Sequence, residues 1–265
     1  MTDAICSASP ATDTAMTSAR NFLIRGLLAG LVAGLVAFGV AYVVGESSVN
    51  ASIAIEESGA ASHHSAEELV PRSLQSTAGL LTGTLTAGVA LGGLVGVITA
   101  LALGRLGRLG VRGVSLSVAA MGFGSVSLLP FLVYPPNPPA VGHSETIGIR
   151  TALYFILVAI SIITAVTAVL IGCKLGDRWD PWHAALAAIA GYLVVINAVI
   201  WLLPTYNEVP ADFPASVLYE FRIASLITQL ALWGTIGVIL GELLHRLQRH
   251  AERDVIERDY AEQAL

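Results

Sequence analysis

The sequence predicts an all-α fold, a polytopic membrane helix bundle of six transmembrane helices, with five as the alternative. Three observations carry this. Six apolar stretches of about 20 residues or more recur along the chain, each enough to cross a ~30 Å hydrocarbon core as a helix. Hydrophobic residues make up 55% and charged residues only 12% of the 265 positions, where a soluble domain carries about 25% charge. Eleven of the fourteen Lys and Arg fall on alternate connections. The basic ends carry Arg20 and Arg25, then Arg105, Arg108 and Arg112, then Lys174 and Arg178, then Arg246, Arg249, Arg253 and Arg258. Only Arg72, Arg150 and Arg222 fall on the other side. By the positive-inside rule both termini are cytoplasmic.

In chain order, residues 1–19 are rich in Ser, Thr and Ala and form an expected disordered cytoplasmic tail. The bundle runs over 20–244, with spans at about 22–44, 79–103, 114–133, 149–172, 183–203 and 221–243. The first stretch exceeds a signal-peptide core and follows a twenty-residue polar tail, so it reads as a retained helix. It places Gly26, Gly30 and Gly34 on one ridge; the second span offers Gly88, Gly92 and Gly96. Small residues at this spacing let helices approach closely in lipid. Packing of these two spans on each other is the expectation, and homo-oligomerisation through the ridge the alternative. The third span is the shortest. Without it the C-terminus and its four Arg would lie outside, against the charge rule. Asn197 and Gln229 are expected to make interhelical hydrogen bonds. Residues 245–265 form a charged, helix-compatible cytoplasmic tail.

The outer connections are distinctive. The first, 45–75, is the longest and reads as a loop, with a flexible Ser58–Gly59–Ala60–Ala61–Ser62 and a capping-box start, Ser65 to Glu68, for a short helix. Nine of the eleven prolines lie on the outer side, four of them between Tyr134 and Gly142. Proline fixes φ, so this mouth is built from stiff, extended segments. The net charge of −5 divides unevenly. Nine acids against three Arg leave the outer side at −6, and ten acids against eleven bases leave the inner side at +1. A negative rim gathers cations over about a Debye length.

His63 and His64 sit in that loop with Glu67 and Glu68, and His143 and Glu145 close the proline loop. Imidazole with carboxylate is a borderline ligand set suited to divalent Co, Ni, Zn or Cu, which makes these six the candidate metal ligands. Glu46, Arg150, Glu220 and Arg222 stand at helix ends and read as charge clamps, Arg222 with Glu220 or Glu46 and Arg150 with Glu145. Cys6 and Cys173 lie at the inner side, so no disulfide framework is expected. The membrane interior lacks the midplane acid, Lys or His typical of proton-coupled pumps. No phosphate-binding loop, zinc-protease, nucleophile-elbow or dinucleotide signature appears, so an enzyme is not expected. A resident cofactor and a nucleic-acid partner are not expected either.

Several segments together carry a resemblance. They are Tyr134-Pro-Pro-Asn-Pro-Pro-Ala-Val-Gly142, Glu145-Thr-Ile-Gly148, Arg150-Thr-Ala-Leu-Tyr154, Val209-Pro-Ala-Asp-Phe-Pro214, Phe221-Arg-Ile-Ala-Ser225 and Trp233. With Arg25-Gly-Leu-Leu-Ala-Gly-Leu-Val-Ala-Gly34 they resemble the CbtA family, the probable cobalt transporter subunits, over residues 20–245. The resemblance implies a multi-pass plasma-membrane protein linked to cobalt uptake and cobalamin biosynthesis. It also implies a small single-span, histidine-bearing partner, CbtB-like. The transported ion is then expected to be cobalt, with nickel or zinc as alternatives of similar ligand taste. A non-transporting membrane scaffold that stabilises partners is the competing expectation.

Overall fold

The computed structural model describes residues 19–60, 71–106, 109–142, 145–206 and 208–263. Every regular element among them is helical. Six helices are long and apolar enough to cross a membrane: α1 (Ala19–Ser58), α2 (Arg72–Ala102), α3 (Val111–Val133), α4 (Ile147–Gly176), α5 (Pro181–Leu202) and α6 (Ala215–Gln263). The third span is therefore among them, and the count is six among the described residues. The loops 134–142 and 204–214 lie at one end of the bundle, here the proline end; Arg105, Arg112 and Arg246 mark the opposite, arginine end.

α1 and α2 pack along their glycine ridges. A Cβ on Gly34 would lie 2.8 Å from the Leu85 Cα, and one on Gly96 would lie 2.5 Å from the Phe22 carbonyl oxygen. Gly26 and Gly30 meet Gly92 and Gly88 in the same way. Backbone thus touches backbone, which only residues without a side chain allow. α6 closes the core against α1 and α3, burying Leu232, Trp233, Ile236, Leu240 and Leu244. At the arginine end Arg112 of α3 donates to Glu242 of α6, and Arg246 joins the same carboxylate.

The α4–α5 hairpin stands outside this four-helix core. Only 11% and 6% of their apolar windows are buried, against 33% for α2 and α6. The two helices hold each other, with the Ser161 and Tyr192 hydroxyls 2.9 Å apart. Trp182 and Trp201, both exposed, stand nineteen positions apart on α5, a rise of ~28 Å. That spacing suits two aromatic belts at the faces of one bilayer.

Two helices outrun the membrane. α6 continues without a break from its apolar stretch to Gln263. α1 continues through the region expected to be a loop, to Ala60. The polar residues there misled the reading. Ser48 and Ser52 are buried, and each hydroxyl donates to a carbonyl of its own helix, that of Gly45 at 2.9 Å and that of Ser48 at 2.8 Å. They are small residues on a face that packs on α6, not loop formers. The expected helix start at Ser65 lies outside the described residues.

Among the described residues three π-helical segments interrupt the regular hydrogen bonding: Ala41–Gly45, Gln75–Gly79 and Phe123–Leu128. All fall in the halves of α1, α2 and α3 nearer the proline end. Single π turns widen a helix locally and recur at functional sites.

Candidate functional site at the proline end

The two proline-braced loops form a wall between two cavities of opposite charge. Pro135, Pro136 and Asn137 line one, together with Tyr206, Glu208 and Val209 from the second loop. The rest of each loop turns to the other cavity: Pro138 to Gly142, then Pro210, Asp212 and Phe213. Pro135 to Asn137 carry no regular structure, but Pro138–Val141 and Pro210–Phe213 each close a turn rather than running extended as expected, Val141 N–H donating to the Pro138 carbonyl at 3.3 Å and Phe213 N–H to the Pro210 carbonyl at 3.1 Å. The left-handed Ala140 (φ 67°) and Gly142 (φ 126°) turn the first loop back toward α4.

The first cavity, of about 510 Å³, lies between α3, α4 and α6. Among the described residues of its lining, Arg150 and Arg222 bring two positive charges and Glu208 one negative charge, a balance of +1. Glu208 is the anchor. Its carboxylate is only 9% exposed, accepts from Arg150 Nη1 at 2.5 Å and also accepts from the Thr146 hydroxyl. Arg222 finds neutral acceptors, the Asn137 side-chain oxygen at 3.1 Å and the Pro136 carbonyl at 3.4 Å. Tyr134 donates its hydroxyl to the Pro204 carbonyl at 3.0 Å, tying the two loops together. Burial, with Tyr206 adding to it, raises the Tyr134 phenol above its ordinary value, in the direction that favours the protonated, donating form.

Gln229, two turns of α6 below Arg222, lines the floor. It accepts from the Ser127 hydroxyl at 3.2 Å, joining α6 to the π segment of α3. Ser127 in turn accepts from Trp233 Nε1 at 2.9 Å. Trp233 is seated because Gly122 has no side chain: a Cβ there would lie 2.1 Å from the indole Cζ3. The cavity floor is thus linked to the buried core.

The second cavity, of about 480 Å³, is acidic. Glu56 from the extended end of α1 lines it with Asp212 and the proline strip, and no basic residue lines it among the described residues. Two carboxylates and backbone carbonyls are hard oxygen donors.

The residues singled out from sequence fare unevenly. His63, His64, Glu67, Glu68 and His143 lie outside the described residues. Glu145 is exposed at the start of α4. No group of three His, Cys, Asp or Glu placed to hold a metal occurs among the described residues. The expected clamp partners need correction. Arg150 pairs with Glu208, not Glu145, because loop 204–210 folds over α4 while Glu145 turns to solvent. Arg222 pairs with neither Glu220 nor Glu46. Glu220 is two positions away, on a different helix face, and Glu46 is taken by Arg72 at 2.5 Å. Asn197 donates to the Leu193 carbonyl of its own helix, so it bonds within α5 and not across helices. Glu208, Tyr134 and Ser127 were not singled out for the site, although Glu208 is the only acid between Pro204 and Pro210.

The family model of the probable cobalt transporter subunit (CbtA) matches residues 19–245. The chain belongs to the CbtA family. The match takes in all six spans and both proline loops and leaves out the last residues of α6. A CbtA protein with six such helices is a multi-pass protein of the cell membrane, and a subunit by description has a partner. No match was found among curated proteins or solved structures.

Proposed function

We propose that this chain is the membrane subunit of a cobalt uptake system and gathers divalent cations at its proline end, which faces outward. The family match over 19–245 is the observation that carries the reading. The local chemistry supports it. Glu56 and Asp212 offer a cation two carboxylates in a cavity framed by stiff backbone. His63, His64, Glu67 and Glu68 fall in sequence between Ala60 and Pro71 and lie outside the described residues. Imidazole from this segment and carboxylate from the cavity suit Co²⁺, and nickel or zinc compete for the same donors. His143 and Glu145 flank the same loop. The arginine end, with Arg105, Arg112 and the α6 extension, then lies in the cytoplasm.

The spans themselves offer a cation little. Thr82, Thr84, Thr167, Ser225 and Thr228 each donate to a carbonyl of their own helix. This favours a path completed by a partner, in keeping with a small single-span, histidine-bearing subunit of the CbtB type. The exposed α4–α5 hairpin offers it apolar surface. The same observation supports the scaffold reading, in which the chain moves no metal. Cobalt accumulation at low external metal, with and without the gene, decides between them. Uptake that falls without the gene supports transport; equal uptake overturns it. Cobalt-dependent protection of segment 61–70 from proteolysis locates capture there.

A further inference from the structure

We infer that the +1 cavity at the proline end binds a small oxyanion, a carboxylate- or phosphate-bearing ligand, and not a bare cation. This goes beyond the cation reading and does not depend on it.

The argument starts from unspent donors. A guanidinium carries five N–H donors. Among the described residues Arg222 uses two, both on neutral acceptors, and Arg150 uses one, on Glu208. Both line the same cavity. Glu208 is already neutralised by Arg150, so the Arg222 charge stands without a carboxylate among the described residues. A full positive charge half-buried at the edge of a membrane is costly and needs a counter-charge or water. The proline loop holds this guanidinium in place through Pro136 and Asn137 while adding no charge. A planar fork held this way matches a carboxylate or phosphate in two-point fashion.

The rest of the lining agrees. Tyr154 and Tyr206 bring phenolic hydroxyls, and Gln229 an amide, to a space of about 510 Å³. That is the size range of a small-molecule pocket. Phe131, Ile147 and Leu226 supply the apolar wall of an organic ligand. A dehydrating Co²⁺ would meet two guanidiniums here and one carboxylate already engaged. The neighbouring cavity, with Glu56 and Asp212, has the opposite preference, so the proline wall sorts the two charge types.

The test uses the purified full chain in detergent, free of added metal, at fixed ionic strength. Thermal unfolding is followed by tryptophan fluorescence during titration with citrate, with inorganic phosphate and with CoCl₂. Citrate or phosphate is expected to raise the midpoint by several degrees and to saturate. Arg222→Gln should abolish that rise, and Arg222→Lys should retain part of it. If Arg222→Gln does not fold, Leu226→Trp fills the cavity without changing charge and should also abolish the rise. Nanodiscs of phosphatidylglycerol and of phosphatidylcholine separate the sources of the ligand. Competition with citrate by the anionic lipid alone identifies a headgroup as the oxyanion; competition by neither identifies a soluble ligand. The inference is overturned if neither anion gives a saturable shift, or if the shift survives in Arg222→Gln or Leu226→Trp.

Discussion

Gly30 of α1 and Gly88 of α2 oppose each other so closely that a methyl on either would fall on the other's carbonyl oxygen. Two membrane helices meet here without side chains between them. Lipid tails solvate apolar side chains as well as a neighbouring helix does, so close van der Waals contact supplies the attraction. The ridge is thereby used inside the chain, and an oligomer would need another surface.

Gly30→Val or Gly88→Val must therefore push the helices apart. The expected cost is about 1–3 kcal/mol or more, the range for overpacked cores. Gly39 and Gly83 have nothing within 4 Å of an added Cβ, so Gly39→Ala and Gly83→Ala serve as controls and leave stability nearly unchanged. Thermal unfolding in detergent measures all four; equal losses at the ridge and control positions refute the close approach.

Arg150→Ala removes the guanidinium that Glu208, whose side chain is 9% exposed, holds beside the Thr146 hydroxyl. The loss is expected at about 1.5–3 kcal/mol, the range for a hydrogen bond to a charged group. The double substitution Arg150→Ala with Glu208→Ala should lose less than the sum of the singles. A double-mutant cycle reads this coupling, and additive losses would show the pair to be independent.

Gly122→Ala places a methyl 2.1 Å from the Trp233 Cζ3, far inside van der Waals contact. The ring must move, and its hydrogen bond to Ser127 with it. A shift in tryptophan emission with a lowered midpoint is expected, by about 1–3 kcal/mol. Unchanged emission would mean that the ring is not held against Gly122.

Removing cation ligands should weaken capture and leave folding intact. Glu56→Gln with Asp212→Asn, and separately His63→Ala with His64→Ala, are expected to raise the half-saturating cobalt concentration for uptake several-fold. Each set is judged alone: an unchanged uptake curve removes those residues from the site.

Orientation has a direct test. With Cys6 and Cys173 replaced by Ser, an impermeant thiol reagent on intact cells should label Ala60→Cys and spare Arg108→Cys. The opposite pattern inverts the proposed topology and, with it, the side from which metal enters.

Sequence by itself determined the helical class, the six spans and the glycine ridges. Hydropathy is read locally, and a backbone in lipid must satisfy its own hydrogen bonds within each segment. The third span, short as it is, reaches Val133 as a helix for this reason. Only the tertiary structure decided which charges meet. Arg150 finds Glu208, 58 positions away, because a loop stiffened by prolines folds across α4, and no spacing rule reports such a closure. It also decided that Ser48 and Ser52 are helix-packing residues, since a small hydroxyl bonded to its own backbone suits a tight helix contact as well as it suits a turn. The division of the proline end into a cationic and an anionic cavity has the same origin: it depends on which side of a wall each charge falls, a property of the folded arrangement and not of the order of residues.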